Sequence, residues 1–547
     1  MFTNVIAPQP VARDDVTIIG GGPAGIAIAL ELDRLHISSC ILEAGRLSRD
    51  RSLDRMSDAT IISENTHDPM DAVSASMLGG ASNLWAGACV PFDPIDLKRR
   101  DFVSGPEWPI DYTELAQFYK PACAFLDAGC SLFSDSSIQN VDQGSFRTNS
   151  LARFSKECRS QVKHLERLKK STRISVALNT VVTDVVVSED GRVKAVRLSS
   201  SDGALSATLP VRILIVAGGG LETTRLLLNM QRDRAALFGG TNGPLGRYYM
   251  GHVTGSVADI KFARPEYADQ FDFKVDRDQR IVRRRFQPTE ETQIRSRLLN
   301  TVLWPEGAIA DPRHGSAALS AIYLLLAANR LGRSALPEVM RRRHSGPGSA
   351  STNEHFQNLR RARFSNAVAD AKLAARRFLA SPRPPGYFIR NNQQQYRLVY
   401  HAEHLPHRDS CVKLAQKTDF LGRNQLAIDL RFHEQDAASV ERVHQEMSIW
   451  LQSFDFARLE LKCRRSEVVA RVLDQAKHGT HQLGMTRMAL SANGGVVNGD
   501  LQTFDLPNLY LCSGSVLPTS SQANPTLTIA ALGIRLASHI AGVVRSR

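Results

Sequence analysis

Residues 15–45 read DVTIIGGGPAGIAIALELDRLHISSCILEAG, and the fold follows from them. The run 16–19 is short and apolar, as suits a buried parallel strand. Gly20, Gly22 and Gly25 then form G-x-G-x-x-G, residues 26–35 have helical composition, and a second apolar run at 39–42 ends in Glu43. Strand, glycine turn, helix, strand and terminal acid in this order make a complete dinucleotide-binding βαβ unit. The first two glycines permit a tight turn and close approach of backbone to a pyrophosphate. The third lets helix and strand pack, and the helix N-terminus offers N–H groups to the phosphates. Glu43, eighteen residues past Gly25, is placed for ribose hydroxyls. The competing reading, a plain glycine turn, does not account for the flanking elements. The motif alone does not separate FAD from NAD.

Working outward, residues 211–216 form another buried-strand run that ends in AGGGLETTRLLLN (217–229), a strand returning to the nucleotide-binding sheet. Between them, 176–209 alternates as a β-meander with turns at 189–191 and 201–203. A glycine-rich segment, MLGGASNLWAGACVPFDPID (77–96), reads equally as a surface loop or a cofactor site, and a helix is expected from about Tyr112. From 251 to about 463 the pattern changes to strands such as 395–401 and 426–432 mixed with helices such as 435–454. The C-terminal block runs HGTHQLGMTRM (478–488), a strand at 508–513, then GSVLPTSSQANPTLTIAALGIRLASHI (514–540). Asn524 suits an N-cap and Pro525 the first helical position of a final helix of about twenty residues. The expected fold class is α/β. A Rossmann-like domain is assembled from the discontinuous segments 12–98, 172–250 and 470–547. An α+β substrate-binding domain with an antiparallel sheet is built from 99–171 and 251–469, with a basic helical insertion at about 317–383.

Hydrophobic residues make up 43% of the 547 and charged residues 22%, which excludes a disordered or coiled-coil chain. The net charge of +13 is concentrated: residues 330–383 hold twelve Lys or Arg against three acids. With no RRM signature or interleaved basic and aromatic stripe, no nucleic-acid partner is expected. The charge run reads first as a solvated face or a cover for the substrate domain, with peripheral membrane contact as the alternative. The longest apolar stretch, 317–328, is interrupted by Ser320, so no transmembrane segment is expected. The first fifteen residues lack signal-peptide features, and a cytoplasmic location is expected. Eight cysteines form no CxxC and no Cys/His cluster, which points to reduced thiols and no metal site.

Four separated blocks together resemble the glucose–methanol–choline (GMC) oxidoreductases, flavoproteins that oxidise alcohols: 16–45, 78–96, 211–225 with LGRYYMGH at 245–252, and 478–540. The most specific part is H-x-x-G-x-T-R-M from His481, followed by GS-x8-NPTLT from Gly514. Within the family, GGASNLWAGACVPFDPID (79–96) and YHAEHLPHRDSCVKLAQ (400–416) resemble bacterial members acting on sugars, cyclitols and glycosides. The resemblance implies FAD, with the ADP half on the βαβ unit. Gly79, Gly80, Ser82, Asn83 and Gly87 would line the flavin, and Val182, Ala217, Gly514, Ser515, Asn524, Pro525 and Thr526 would add contacts. Several relatives carry a flavin-linking histidine two residues after the equivalent of Ser82. Leu84 stands there, so the cofactor is expected to be held non-covalently.

Alcohol oxidation removes a hydroxyl proton and transfers a hydride to flavin N5, so a base is required. Histidine serves without a large pKa perturbation. The resemblance selects His481 as that base and Asn524 as its partner, which as an amide can orient a substrate oxygen but cannot act as base. His478 is a nearby competitor displaced from the motif. His401 and Glu403 share one face of an expected strand and are candidates to touch substrate. A small-molecule alcohol, polyhydroxylated as the resemblance implies, is the expected substrate, and the electron acceptor is either oxygen or another redox partner. A non-redox lyase of the same fold, an NAD-dependent dehydrogenase and an interaction module centred on the basic segment are the competing readings. Of these, the dehydrogenase leaves the C-terminal block unexplained.

Overall fold

The computed structural model describes residues 2–3, 15–105, 107–135, 144–327, 352–361, nine positions between 368 and 386, and 388–546. Its first layer is a six-stranded parallel sheet. Strand β1 (Val16–Ile19) lies between β2 (Ser39–Leu42) and β4 (Ile213–Val216), with Ile18 opposite both Ile41 and Ile215. Beyond β2 come β3 (Ile174–Ala177) and the short strand at 2–3, and beyond β4 comes Leu509–Leu511. Apolar residues at nearly every position are what a strand covered on both faces requires. Helix α1 (Pro23–Arg34) covers one face together with the C-terminal helix, Thr526–Arg545. These two helices pack closely because Gly533 lacks a side chain: a Cβ there would lie 3.2 Å from Ile28 Cγ1. Helix α2 (Gly220–Asp233) leaves β4 through the glycines at 218–220.

The C-terminal helix is long and apolar enough to cross a bilayer, which the sequence reading overlooked. Two-thirds of that apolar stretch is buried here, with Leu527, Ala530, Ala531 and Leu536 in the core, so its apolarity is accounted for by packing. All eight cysteines are free, and five of them are buried.

The second layer system is an eight-stranded antiparallel sheet, as expected. Strand β5 (His252–Phe262) pairs with β6 (Gln395–Glu403) and with Ala457–Leu461, and β6 continues through Thr301–Glu306 and Ile281–Pro288 to Phe146–Phe154. Helix Glu434–Gln452 closes one face, where Val440, Val443 and Met447 join Leu398 and Tyr400 in a second core. The meander forms as Thr180–Val187, Val193–Ser200 and Ser206–Pro210. A small third sheet pairs Ala59–Ile61 in parallel with Asn424–Asp429, so the N-terminal segment also reaches across to the later part of the chain.

Most of the expected basic insertion at 317–383 lies outside the described residues. The described pieces include helices Ala317–Ala327 and Thr352–Arg360, joined by Tyr323 stacked on His355 at 4.2 Å between ring centroids.

Candidate functional site

The carboxyl ends of β1, β2 and β4 converge on one cavity of ≈ 270 Å³, the position where open α/β sheets bind ligands. The three motif glycines have separable tasks. Gly20 has φ +102°, and a Cβ on it would sit 2.6 Å from the Ala217 carbonyl oxygen, because the turn presses against the end of β4. A Cβ on Gly25 would sit 2.0 Å from the Gly20 carbonyl oxygen, which is the close helix–turn packing. Gly22 faces open space, with nothing within 4 Å of its would-be Cβ. It precedes Pro23 at the start of α1, whose first intrahelical bond runs from Ile26 N to Gly22 O at 3.0 Å. The N–H groups of the first turn, with their partial positive charge, thus stand beside an unfilled cradle.

Glu43 lines the same end of the cavity and clamps the turn. Its Oε2 accepts the Gly21 N–H and its Oε1 the Gly45 N–H, both at 2.8 Å. Burial raises its pKa, against the lowering effect of those two bonds. The spare lone pairs of this carboxylate remain for ribose hydroxyls.

At the other end stands His481. Its Nδ1 lies 2.8 Å from Nδ1 of His252, and its Nε2 lies 3.4 Å from the Asn524 amide nitrogen. His401 stacks on His252 with ring centroids 4.2 Å apart, and its Nδ1 is bonded to the Gln522 carbonyl oxygen at 2.8 Å. His478 completes a group of four histidines whose ring nitrogens lie within 4.8 Å of one another. The spacing of Cys and His along the chain gave no such cluster; it forms because β5, β6 and the 478–481 loop meet here. Contrary to the expectation of a histidine base without a large pKa perturbation, burial, then His401, push His481 down to about 3, and burial pushes His401 down to about 4. His252 and His478 are held well below the ordinary histidine range, first by burial and then by the surrounding histidines. All four are neutral at pH 7, so each retains one lone pair.

Of the residues expected at the site, Gly20, Gly22, Glu43, Gly80, Val182, Ala217, His481, Gly514, Pro525 and Thr526 line the cavity, whereas Asn524 stands outside the lining and reaches it through His481. Several other expected cofactor contacts stand behind its wall. Ser82 donates to the Gly79 carbonyl at 2.6 Å, and Asn83 donates to the Gly80 carbonyl at 2.9 Å. Gly79 and Gly87 have positive φ and abut Gln161 and Cys158 respectively. Ser515 lies within hydrogen-bonding distance of both Ser513 and Thr486. These residues shape the loops that carry the lining. Asn524 does not cap the final helix. The cap falls at Pro525, whose carbonyl accepts the Ile529 N–H at 2.8 Å, and the freed amide turns to His481.

Glu403 is corrected from a substrate candidate to a structural residue, because both its oxygens are bound by the buried Arg100 guanidinium. His401 is also outside the cavity lining, held by its stack on His252 and its bond to the Gln522 carbonyl. His478 is outside the cavity lining, wedged against Gly251, where a Cβ would meet the His478 Cβ at 2.8 Å and its ring Nδ1 at 2.9 Å. Sequence reasoning missed His252, although the quoted LGRYYMGH ends on it.

Residues 406–533 match the family described as GMC oxidoreductase. A 2-methyl-1,2-propanediol dehydrogenase of Mycolicibacterium austroafricanum is 42% identical over 62 residues, 11% of this chain and 11% of that protein. A long-chain-alcohol oxidase of Arabidopsis thaliana is 31% identical over 81 residues, 14% of this chain and 11% of that protein. The chain thus spans about a tenth of the length of these curated relatives. Over nearly its whole length it shares the fold of a FAD-dependent oxidoreductase from Chaetomium thermophilum. The TM-score is 0.53 at 13% identity, covering 97% of this chain and 100% of that one.

Proposed function

We propose that this chain is an FAD-dependent alcohol oxidoreductase that converts CH–OH to C=O. The observation that carries the reading is the pairing of His481 Nε2 with the Asn524 amide at the far end of a cavity that begins at a dinucleotide-binding turn. The same-fold oxidoreductase from Chaetomium thermophilum, described as FAD-dependent, and the alcohol-oxidising relatives support it.

The residues present fit the cofactor. Gly22 leaves a cradle that a Cβ would begin to fill, Glu43 holds an acid at the ribose end, and the small residues Gly80, Ala217 and Gly514 share the lining with His481. When bound, FAD supplies the hydride acceptor. His481, neutral and with a lone pair on Nε2, takes the hydroxyl proton. Asn524 donates to the substrate oxygen and orients it, which a side chain with both donors and an acceptor can do. The N-terminus of the final helix, reached through Pro525 and Thr526 in the lining, favours negative charge at that end. Leu84 offers no nucleophile, so the cofactor is held without a covalent bond.

The substrate read from the chain is a small polyhydroxylated alcohol, a sugar, cyclitol, glycoside or diol. His481 in the cavity lining, with Asn524 and His401 packed against it, brings hydrogen-bonding groups to the site, and the diol-oxidising relative supports the same class. Anaerobic reduction of the bound flavin by a panel of alcohols tests both levels. Bleaching by polyols with little response to fatty alcohols is expected. Bleaching only by fatty alcohols overturns the substrate class, and no bleaching by any alcohol overturns the activity.

A further inference from the structure

We infer that His252 is a positioning residue for His481: it accepts the Nδ1–H of His481 and thereby keeps the lone pair of that histidine on Nε2, beside Asn524. The inference rests on the alcohol-oxidation reading. The two Nδ1 atoms are 2.8 Å apart, a distance that requires one donor and one acceptor. Two tautomeric arrangements satisfy it. If His252 donated, neutral His481 would carry its proton on Nε2 and could take none from a hydroxyl there. If His481 donates, Nε2 is bare and accepts the Asn524 amide N–H, whose nitrogen is 3.4 Å away.

Only the second arrangement also survives the chemistry. Once Nε2 has taken the hydroxyl proton, the imidazolium carries N–H on both nitrogens, and Nδ1–H still needs an acceptor in a buried site. His252 serves as one only while it is neutral. Its surroundings keep it so: it is fully buried on β5, stacked on His401 of β6, faced by His478 and His481 from the loop, with His404 beyond. Arg285 lies near His401, and Glu403, opposite His252 in the β5–β6 register, is occupied by Arg100. No carboxylate is therefore free among these groups to draw a proton onto His252. Its Nε2 is buried with no hydrogen-bond partner among the described residues, so the bond to His481 is its one polar contact. Gly251 is part of the arrangement, since only a residue without Cβ lets His478 pack against the start of β5.

The test compares His252→Leu with His252→Asn, whose Oδ1 takes the place of Nδ1 as acceptor. In anaerobic flavin reduction by an alcohol that the wild type oxidises, His252→Leu should be slower by about 10- to 10²-fold with KM and flavin content nearly unchanged. His252→Asn should recover most of the rate, with a pH profile like that of the wild type. Independently, ¹⁵N NMR of histidine-labelled protein, with His481 assigned by His481→Gln, should show Nδ1 protonated and Nε2 bare in the wild type and a mixture in His252→Leu. A His252→Leu rate equal to wild type, an Asn variant as slow as Leu, or a proton on His481 Nε2 overturns the inference. If no alcohol reduces the wild-type flavin, the functional reading fails, while the tautomer spectrum still decides the role of His252.

Discussion

Arg100 and Glu403 meet as a two-pronged pair, Nη1–H to Oε2 and Nη2–H to Oε1, both at 2.7 Å, with side chains only 3% and 1% exposed. Oε2 also accepts the Asn300 N–H at 3.0 Å, so the pair ties the end of β6 to two neighbouring segments. A buried ion of this kind is costly to strand. Glu403→Ala should lower the unfolding free energy by about 3–5 kcal/mol in a urea titration, because Arg100 is left buried and unpaired. Activity per bound flavin should stay close to wild type. A normal unfolding midpoint with a large rise in KM would instead return Glu403 to the substrate site.

The glycine turn separates packing from cofactor binding. Gly25→Ala places a methyl 2.0 Å from the Gly20 carbonyl and should yield protein that is unstable and free of flavin. Gly22→Ala meets no protein atom, so the apoprotein should melt within a few degrees of wild type while flavin affinity falls. Calorimetry on apoprotein and flavin content after gel filtration measure the two effects.

His481→Ala should retain fold and flavin but slow flavin reduction by about 10²- to 10⁴-fold, the usual cost of losing a general base. Asn524→Ala should cost less, since it orients substrate and moves no proton. Stopped-flow reduction under anaerobic conditions gives both numbers.

If the flavin is held without a covalent bond, as Leu84 at the linking position implies, acid precipitation should leave the yellow colour in the supernatant. Colour in the pellet would show a covalent link through another residue.

The buried histidines make stability depend on acid. His164, His401, His404 and His444 are each pushed down to about 4, mainly by burial, against an ordinary value near 6.5. Between these values the unfolded chain binds protons that the folded chain does not. Stability is therefore complete above pH ~6.5 and declines as the pH falls toward ~4, by up to about 1.4 kcal/mol per pH unit for each histidine that stays neutral. Urea midpoints measured from pH 7.5 to 5 should fall accordingly, and a flat profile would refute the burial of these rings.

The nucleotide half of the molecule was legible because its signals are local. The order of strand, turn, helix and acid in 15–45 dictates geometry within thirty residues, and the packing tasks expected of Gly20 and Gly25 are seen in the turn. The C-terminal block was legible through its resemblance to the GMC oxidoreductases, which paired His481 with Asn524, and the two side chains do meet in the structure. What the sequence hid is relational. His252 precedes His481 by 229 residues, and nothing near it in the chain marks it as a partner; only the β5–β6 pairing brings it under His401. Glu403 misled for the same reason. Strand parity put it on the face of His401, but its partner Arg100 lies 303 residues away and converts a candidate ligand into a strut. The cap of the last helix slipped by one because Asn524, a good cap by type, has a competing bond to His481.

The parallel sheet draws its central strands from residues 16–42, its next from 174–216 and one edge from 509–511, and the helix that covers α1 comes from 526–545, far along the chain from the turn it helps to enclose. A chain emerging from the ribosome at about 5–20 residues per second carries the glycine turn for roughly half a minute or more before the strand and helix that finish its walls exist. Until then the apolar side of α1 and the edge of β4 lack the partners that cover them in the folded protein, so the walls of the glycine turn are finished only by residues 509–511 and 526–545.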